Sequence, residues 1–251
     1  MKIDLDGRIA VVTGGASGIG RAIAETLAAS GASVAIADLN VAAAKEVAEE
    51  IDPTGTAVRG YAVDVTDRVR IEAMSKEIAS DMGMVDIIVN CAGWNTGQPF
   101  LSNAPDFIDK VVALNLLGPI TMCHVFLGPL VEAGRPGSVV NISSDAGRVG
   151  SLGETVYAAA KGGVIAFTKS LAREMARHSV NVNCVAPGPT DTPLFHLQPE
   201  KIQEALIRAI PLRRLGQPAE IAQVAAFLAS DKASYVTGQV ISVSGGLTMV
   251  G

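Results

Sequence analysis

The stretch Ile9-Ala10-Val11-Val12-Thr13-Gly14-Gly15-Ala16-Ser17-Gly18-Ile19-Gly20 carries the strongest fold signal in this chain. Its first four residues are apolar and predict a short buried strand. The glycines predict a tight turn, and the amphipathic stretch from Arg21 to Ser30 predicts a helix directly after it. Strand, glycine turn and helix in this order are the context in which backbone amides bind the pyrophosphate of a dinucleotide. We therefore predict that this turn contacts a dinucleotide through Gly14, Ser17, Gly18, Ile19 and Gly20.

The next predicted strand, from Ser33 to Ala37, is followed by Asp38. A carboxylate at this position accepts hydrogen bonds from the adenosine ribose hydroxyls of NAD and repels the 2′-phosphate of NADP. No Arg or Lys lies in the glycine turn or directly after Asp38 to offset that repulsion. The sequence therefore predicts NAD as the cofactor.

Five further strand patterns alternate with helix-length segments, at residues 60–65, 85–89, 138–142, 180–185 and 238–243. This alternation predicts an α/β fold with right-handed crossovers, in which helices cover both faces of a doubly wound parallel sheet of about seven strands. We expect a single domain over residues 1–251. Ligands bind beyond the carboxyl ends of such strands. The polar residues that follow strands are therefore expected at one edge of the sheet: Asp38, Asp64, Asn90, Ser144 and Pro187.

Tyr157 and Lys161 are four residues apart in a predicted helix, so they share one face of it. A free phenol has a pKa of about 10 and accepts a proton poorly at neutral pH. A neighbouring ammonium favours the phenolate, so we predict that Lys161 lowers the pKa of Tyr157. Ser144, at the end of the preceding strand, is placed to hold a carbonyl or carbinol oxygen against the phenol. These three residues predict proton transfer coupled to hydride transfer.

Together these motifs resemble the short-chain dehydrogenase/reductase family over nearly the whole chain. The turn Asn90-Cys91-Ala92-Gly93 resembles the Asn-Asn-Ala-Gly turn of that family, with Cys91 in place of its second Asn. The resemblance implies a Rossmann-type fold and a Ser-Tyr-Lys catalytic set. It also implies that Lys161 bonds the nicotinamide ribose, and that Asn115 acts as a fourth catalytic residue by holding a water between Lys161 and solvent. The further cofactor contacts that it implies are Asp64, Val65, Asn90, Ala92, Gly93, Tyr157, Lys161, Pro187, Gly188, Thr190 and Thr192.

The resemblance places a lid over the substrate at residues 189–214. This segment is rich in apolar side chains, which favours an apolar acyl or ring substrate. Trp94 and Arg148 are candidates for the substrate pocket, although Trp94 is also consistent with a core residue and Arg148 with a surface residue. The basic edge of the lid, formed by Lys201, Arg208, Arg213 and Arg214, would meet a coenzyme A phosphate, although a solvated helix face has the same composition. The candidate pocket residues are Trp94, Asp145, Arg148, Glu154, Pro189, Leu194 and Phe195.

Within the family, residues 93–94, 143–150, 187–192 and 244–249 are most similar to NAD-dependent dehydrogenases of a cyclic 3-hydroxyacyl-CoA thioester. Residues 211–216 also resemble 3-oxoacyl-(acyl carrier protein) reductases, which commonly use NADPH. Two other functions stay open: a dehydrogenase of another small cyclic alcohol, and a dinucleotide-binding regulator without catalysis. The regulator is disfavoured because the catalytic side chains are all present.

Composition limits the other classes of function. The net charge of −5 and the lack of a basic run argue against a nucleic-acid partner. No uninterrupted apolar run reaches membrane-spanning length, and residues 1–6 contain no apolar signal region, so we expect a cytoplasmic protein without a membrane partner. Cys91, Cys123 and Cys184 are predicted to be buried thiols in a reducing compartment. The three histidines show no ligand spacing, so no metal is predicted.

The resemblance also implies a homotetramer, with a dimer as the second expectation. Its contacts would come from long helices around Asn115–Glu132 and Tyr157–His178, and from the C-terminal strand and helix. Pro119 and Pro129 should distort the first of these helices unless each stands at a helix start.

Overall fold

A computed structural model describes residues 2–250 of the chain. Its seven strands are β1 (Ile9–Thr13), β2 (Ser33–Asp38), β3 (Val58–Ala62), β4 (Ile87–Asn90), β5 (Gly137–Ile142), β6 (Val180–Pro187) and β7 (Val240–Val243). They form one parallel sheet in the order β3-β2-β1-β4-β5-β6-β7. The order reverses between β1 and β4, which is the topological switch point of a doubly wound sheet. The predicted fold class is confirmed.

Ten α-helices surround the sheet within the described residues. They are α1 (Gly18–Ala29), α2 (Val41–Ile51), α3 (Arg68–Asp81), α4 (Pro105–Val112), α5 (Gly118–Glu132), α6 (Ala146–Val149), α7 (Thr155–Met175), α8 (Pro193–His196), α9 (Glu200–Ala209) and α10 (Pro218–Ala229). Short 3₁₀ turns cover Phe100–Ser102, Ala176–His178 and Asp231–Ala233, and a π turn covers Ala113–Leu117.

The sheet separates two apolar cores. Val12 faces one core with Ile23 of α1 and Ile221 of α10, whereas its neighbour Val11 faces the other core with Phe126 of α5. Successive side chains of a strand point to opposite faces, so a strand that is covered on both faces must be apolar throughout. This explains the continuous apolar runs in the sequence.

The elements depart from the sequence prediction in two places. β3 ends at Ala62, which pairs with Asp38 at the end of β2, so the third strand stops earlier than predicted and Asp64 lies in the loop beyond it. The long helix predicted around Asn115 is divided into α4, the π turn and α5. Pro119 is the second residue of α5, directly after the π turn, and Pro129 lies inside that helix.

One helical stretch among the described residues, Pro105–Glu132, is long and apolar enough to cross a membrane by length and composition alone. The sequence prediction considered only uninterrupted apolar runs and did not find it. In its most apolar window 44% of the residues are buried inside the chain, and a core helix meets the same two criteria. The stretch is therefore weak evidence for a membrane segment.

Candidate active site

The carboxyl ends of the strands open into a cavity of about 690 Å³. It is lined by the glycine turn, by residues that follow β2, β4, β5 and β6, and by the first turns of α7. Most of the predicted cofactor residues line it, namely Gly14, Ser17, Gly18, Ile19, Gly20, Asp38, Asp64, Val65, Ala92, Gly93, Tyr157, Lys161, Pro187, Gly188, Thr190 and Thr192. Asn90 does not.

The glycine turn is shaped by close backbone approach. Gly14 and Gly18 have φ values of +66° and +52°, in the left-handed region that favours glycine. A Cβ on Gly20 would overlap the carbonyl oxygen of Gly14 and lie 2.7 Å from its carbonyl carbon. Ser17 is the N-cap of α1, yet its side chain makes no capping bond. The first amides of α1 therefore face the cavity without intrahelical partners, at the positive end of the helix dipole.

Asp38 ends β2 at the edge of the same cavity. Its Oδ2 accepts a hydrogen bond from the backbone N–H of Ala16 at 3.1 Å, and its Oδ1 accepts one from Asn40 at 3.0 Å. These bonds fix the carboxylate beside the glycine turn. Among residues 2–250, Lys161 is the one basic side chain that lines the cavity. No cation is therefore placed at Asp38 to neutralise it.

Ser144, Tyr157 and Lys161 come together where β5 ends against α7. Ser144 Oγ accepts a hydrogen bond from the N–H of Ala146 at 3.1 Å. Lys161 is buried, with 3% of its surface exposed, and its Nζ donates to the carbonyl of Ile142 at 2.9 Å. The same Nζ lies 5.7 Å from the centre of the Tyr157 ring. The predicted catalytic face of α7 is thus present, next to the serine.

The pKa directions in the protein alone differ from the sequence prediction. Burial raises the pKa of Tyr157, the negative charge of Glu154 raises it further, and a hydrogen bond from Ser144 opposes these effects. Burial also lowers the pKa of Lys161. Lys161 is not among the groups that shift the pKa of Tyr157, and its ammonium bonds to the Ile142 carbonyl, so the structure does not show the predicted lowering.

Asn115 lies in the π turn and is fully buried. Its Nδ2 donates to the carbonyls of Trp94 at 2.8 Å and Val111 at 2.9 Å, and its Oδ1 accepts from the N–H of Trp94 at 3.2 Å. It does not line the cavity. A Cβ on Gly93 would lie 2.9 Å from Asn115 Oδ1 and 3.3 Å from Lys161 Nζ. Asn115 is thus held close to the lysine, and its water-holding role stays a prediction.

Asn90 faces the interior of the sheet. Its Nδ2 donates to Asn141 Oδ1 at 2.8 Å, and Asn141 donates in turn to Thr168 Oγ1 at 2.9 Å. This buried chain of hydrogen bonds links β4, β5 and α7. Asn90 therefore supports the strands that position the site, and the structure does not bring it to the cavity.

The predicted substrate residues divide into two groups. Asp145, Glu154, Pro189, Leu194 and Phe195 line the cavity.

Trp94 and Arg148 do not line the cavity. The Trp94 ring packs edge to face on Phe107, with a centroid distance of 5.7 Å, and the Lys110 ammonium lies 4.0 Å from its centre. The Arg148 guanidinium donates to the carbonyl of Val250. Both side chains are therefore directed to other partners than a substrate.

Sequence reasoning missed several residues that line the cavity: Leu39, Asn95, Leu114, Val149, Ser151, Leu247 and Thr248 among them. Asn95 could have been found from the sequence, because it directly follows Trp94, two residues after the Asn-Cys-Ala-Gly turn ends. Its Nδ2 donates to Glu154 Oε1 at 2.9 Å. Leu247 and Thr248 reach the site only through the tertiary fold.

The basic edge of the predicted lid is half paired within the chain. Arg214 forms two 2.7 Å hydrogen bonds to the carboxylate of Glu220, and Arg208 lies 3.5 Å from Glu204. Lys201 and Arg213 complete this edge in the sequence. Two of its four cations therefore already have acidic partners.

Known proteins match this chain over almost its full length. The enoyl-(acyl carrier protein) reductase family, adh_short_C2, matches residues 14–248. The 3-oxoacyl-[acyl-carrier-protein] reductase FabG of Thermotoga maritima is 39% identical over 245 residues, which cover 98% of this chain and 99% of that protein. FabG of Vibrio harveyi is 40% identical over 248 residues, which cover 99% and 100%. The (3R)-3-hydroxyacyl-CoA dehydrogenase of Mus musculus is 38% identical over 256 residues, which cover 99% of each.

The match and the site agree on one kind of chemistry. A Ser-Tyr-Lys set beside a dinucleotide cradle suits proton transfer to or from an oxygen while a hydride moves. The chain therefore belongs to the short-chain dehydrogenase/reductase family and is an oxidoreductase that acts on CH–OH groups with a nicotinamide cofactor.

Proposed function

We propose that this chain is an NAD-dependent dehydrogenase that interconverts the secondary alcohol and the ketone of a 3-hydroxyacyl thioester, with 2-hydroxycyclohexanecarboxyl-CoA as its substrate. The observation that carries the proposal is the position of Ser144, Tyr157 and Lys161 on one cavity with Asp38 and the glycine turn. We further propose a cytoplasmic homotetramer.

The residues present fit NAD. The free amides at the start of α1 and the closely packed turn at Gly14 and Gly20 suit a pyrophosphate. A side chain in place of either glycine would disturb the close backbone contacts of this turn. Asp38 carries a negative charge where NADP would place its 2′-phosphate, and no cation offsets it among the residues that line the cavity. When bound, NAD supplies the hydride acceptor. Its contacts would come from the predicted cofactor residues that the cavity brings together.

The chain itself would manage the proton. Ser144 would donate a hydrogen bond to the substrate oxygen and orient it, and Tyr157 would take the proton of the alcohol. Burial raises the pKa of Tyr157, so its phenolate needs a nearby cation. Lys161, one helical turn away, is the basic residue placed to provide it. We retain for Asn115 the role of holding a water beside Lys161.

A thioester substrate is supported by the relatives. The names of the two kinds of relative specify a 3-hydroxyacyl-CoA and a 3-oxoacyl-[acyl-carrier-protein], both of which carry an oxygen function at the β position of an acyl group. We place the cyclic CoA thioester first because of the resemblance in residues 143–150 and 187–192. We also propose residues 189–214 as the lid, since Leu194, Phe195 and Leu206 line the cavity from this segment.

The main alternative is a 3-oxoacyl-(acyl carrier protein) reductase, which the similarity to FabG supports to a comparable degree. The charge of Asp38 disfavours NADPH in that role. A dehydrogenase of another small cyclic alcohol comes next, and a regulator without catalysis is the least favoured.

The test is formation of reduced cofactor by the purified protein with NAD or NADP. The panel contains 2-hydroxycyclohexanecarboxyl-CoA, linear 3-hydroxyacyl-CoA thioesters and free cyclic alcohols. Preference for the cyclic thioester with NAD supports the proposal. Preference for linear thioesters with NADP overturns it and favours the acyl reductase.

A further inference from the structure

The substrate end of the cavity carries an excess of negative charge. Asp145 directly follows Ser144, and Glu154 precedes Tyr157 by three residues, and both acidic residues line the cavity at this end. Asp38 and Asp64 add two more at the cofactor end. Among residues 2–250, Lys161 is the single cation that lines this cavity against these four acidic side chains.

Glu154 is held in place by a buried amide. It is the N-cap residue of α7, and its backbone carbonyl accepts the N–H of Ala158 at 2.7 Å. Its Oε1 accepts a hydrogen bond from Nδ2 of Asn95, of which only 8% is exposed. This bond orients the carboxylate but does not neutralise it. The full charge therefore stays beside the first turn of α7, which carries Tyr157.

Asp145 is a second, buried carboxylate at this end of the cavity. It is 4% exposed, and its Oδ1 accepts a hydrogen bond from Ser242 Oγ at 2.7 Å. Its Oδ2 has no hydrogen-bond partner within residues 2–250. No cation therefore bonds to this carboxylate in the described part of the chain.

No guanidinium of the described residues lines the cavity to receive an anion. Arg148, the arginine closest in sequence to the catalytic serine, donates to the Val250 carbonyl. A free carboxylate on the substrate would therefore meet the carboxylate of Glu154 and find only Lys161, which is already bonded to the Ile142 carbonyl.

We propose that Glu154, oriented by Asn95, is a specificity residue that excludes substrates with a free carboxylate beside the reacting carbinol. The group in that position must be uncharged, as in a thioester or an ester, and a free 3-hydroxy acid is rejected. This inference rests on the proposed function, because it concerns the acyl group of the same substrate.

The effect of Glu154 on Tyr157 supports this assignment. Burial raises the pKa of Tyr157 first, and the charge of Glu154 raises it next, so that charge acts at the phenol that would contact the substrate oxygen. Ser144 and Cys91 also act on this phenol, and Lys161 is the cation on the same helix face. A carboxylate on a neighbouring carbon of the substrate would experience the same repulsion.

The experiment compares 2-hydroxycyclohexanecarboxylate with its methyl ester, as substrates with NAD and as inhibitors of CoA thioester oxidation. The wild type should favour the ester by about tenfold or more, the effect of one like charge at close range. Glu154→Gln keeps the acceptor for Asn95 and removes the charge, so it should narrow this ratio about tenfold. It should also move the rising limb of the pH–rate profile to lower pH, since the pKa of Tyr157 falls.

Two further variants distinguish the effect of the Glu154 charge from the effects of net charge and of the Asn95 hydrogen bond. Glu49→Gln removes one charge from the exposed face of α2 and should leave the ratio unchanged. Asn95→Ala frees the Glu154 carboxylate without removing its charge and should keep the preference for the ester.

Equal inhibition by acid and ester in the wild type overturns the inference and leaves the proposed function intact. So does a Glu154→Gln variant with the wild-type ratio and pH profile. Failure to oxidise any thioester or ester, with turnover of another alcohol, instead overturns the proposed function itself.

Discussion

Replacing Gly20 by alanine tests the cofactor cradle at its tightest point. The new Cβ would overlap the carbonyl oxygen of Gly14 and lie 2.7 Å from its carbonyl carbon, whereas ordinary contact begins at 3.4 Å. The start of α1 and the glycine turn must therefore separate by roughly 0.7 Å or more. Overpacking of this kind costs about 1–3 kcal/mol. If the cost falls on the bound state, the affinity for NADH drops about 5- to 150-fold, since 1.4 kcal/mol is a factor of ten.

The assay is NADH binding, followed by fluorescence, together with urea unfolding of the free protein. Both are needed because the strain is relieved either in the cradle or in the whole fold. Gly128→Ala is the matched control, since a Cβ there meets nothing within 4 Å and the residue lies inside α5. A Gly20→Ala variant with NADH affinity within about twofold of the wild type and unchanged unfolding free energy would refute the reasoning.

Two other predictions concern ion pairs. Asp86 is 2% exposed and accepts hydrogen bonds from Arg8 at 2.7 Å and Arg135 at 3.3 Å. Both arginines keep some contact with solvent, so Asp86→Asn should lower the free energy of unfolding by about 1.5–3 kcal/mol in urea denaturation, and a loss below about 0.5 kcal/mol would contradict this. The pKa of His196 is raised, first by its 2.7 Å hydrogen bond to Asp191. The pair therefore stabilises the segment from Asp191 to His196 fully below pH 6.5, and this effect is lost as pH rises through the pKa of His196. Asp191→Asn should return the His196 pKa toward 6.5 in an NMR titration, and an unchanged value would count against the pair.

The sequence predicted those parts of the site that depend on local periodicity. The glycine turn, Asp38 and the shared helix face of Tyr157 and Lys161 all follow from spacing along one strand or one helix. The strand order brings their ends to one edge, as an alternating α/β pattern requires. The cavity therefore contains most of the residues that were expected in it.

The parts that sequence could not predict depend on distant partners. Arg148 is turned away by the carbonyl of Val250, about a hundred residues later in the chain. Trp94 is drawn to Phe107 and Lys110, which lie on α4. Helical periodicity does not predict such partners, because it indicates the face of the helix on which a side chain lies and not the residues that contact it.

The π turn around Asn115 is a second case. One extra residue in a helix shifts every later side chain, and a turn of this kind is frequent at functional sites. The pKa of Tyr157 is a third case, since burial decides its direction in the protein alone and burial is a tertiary property.

The most direct test of the account is the rate of NADH formation from 2-hydroxycyclohexanecarboxyl-CoA by the wild type and by Tyr157→Phe, with NADH binding measured on the same samples. The phenylalanine keeps the ring in its packing and removes the proton acceptor. Turnover should fall by about 10²- to 10⁴-fold, while the affinity for NADH falls by no more than about tenfold, the effect of one lost hydrogen bond. Retained turnover in this variant would contradict the assignment of Tyr157 as the residue that takes the proton.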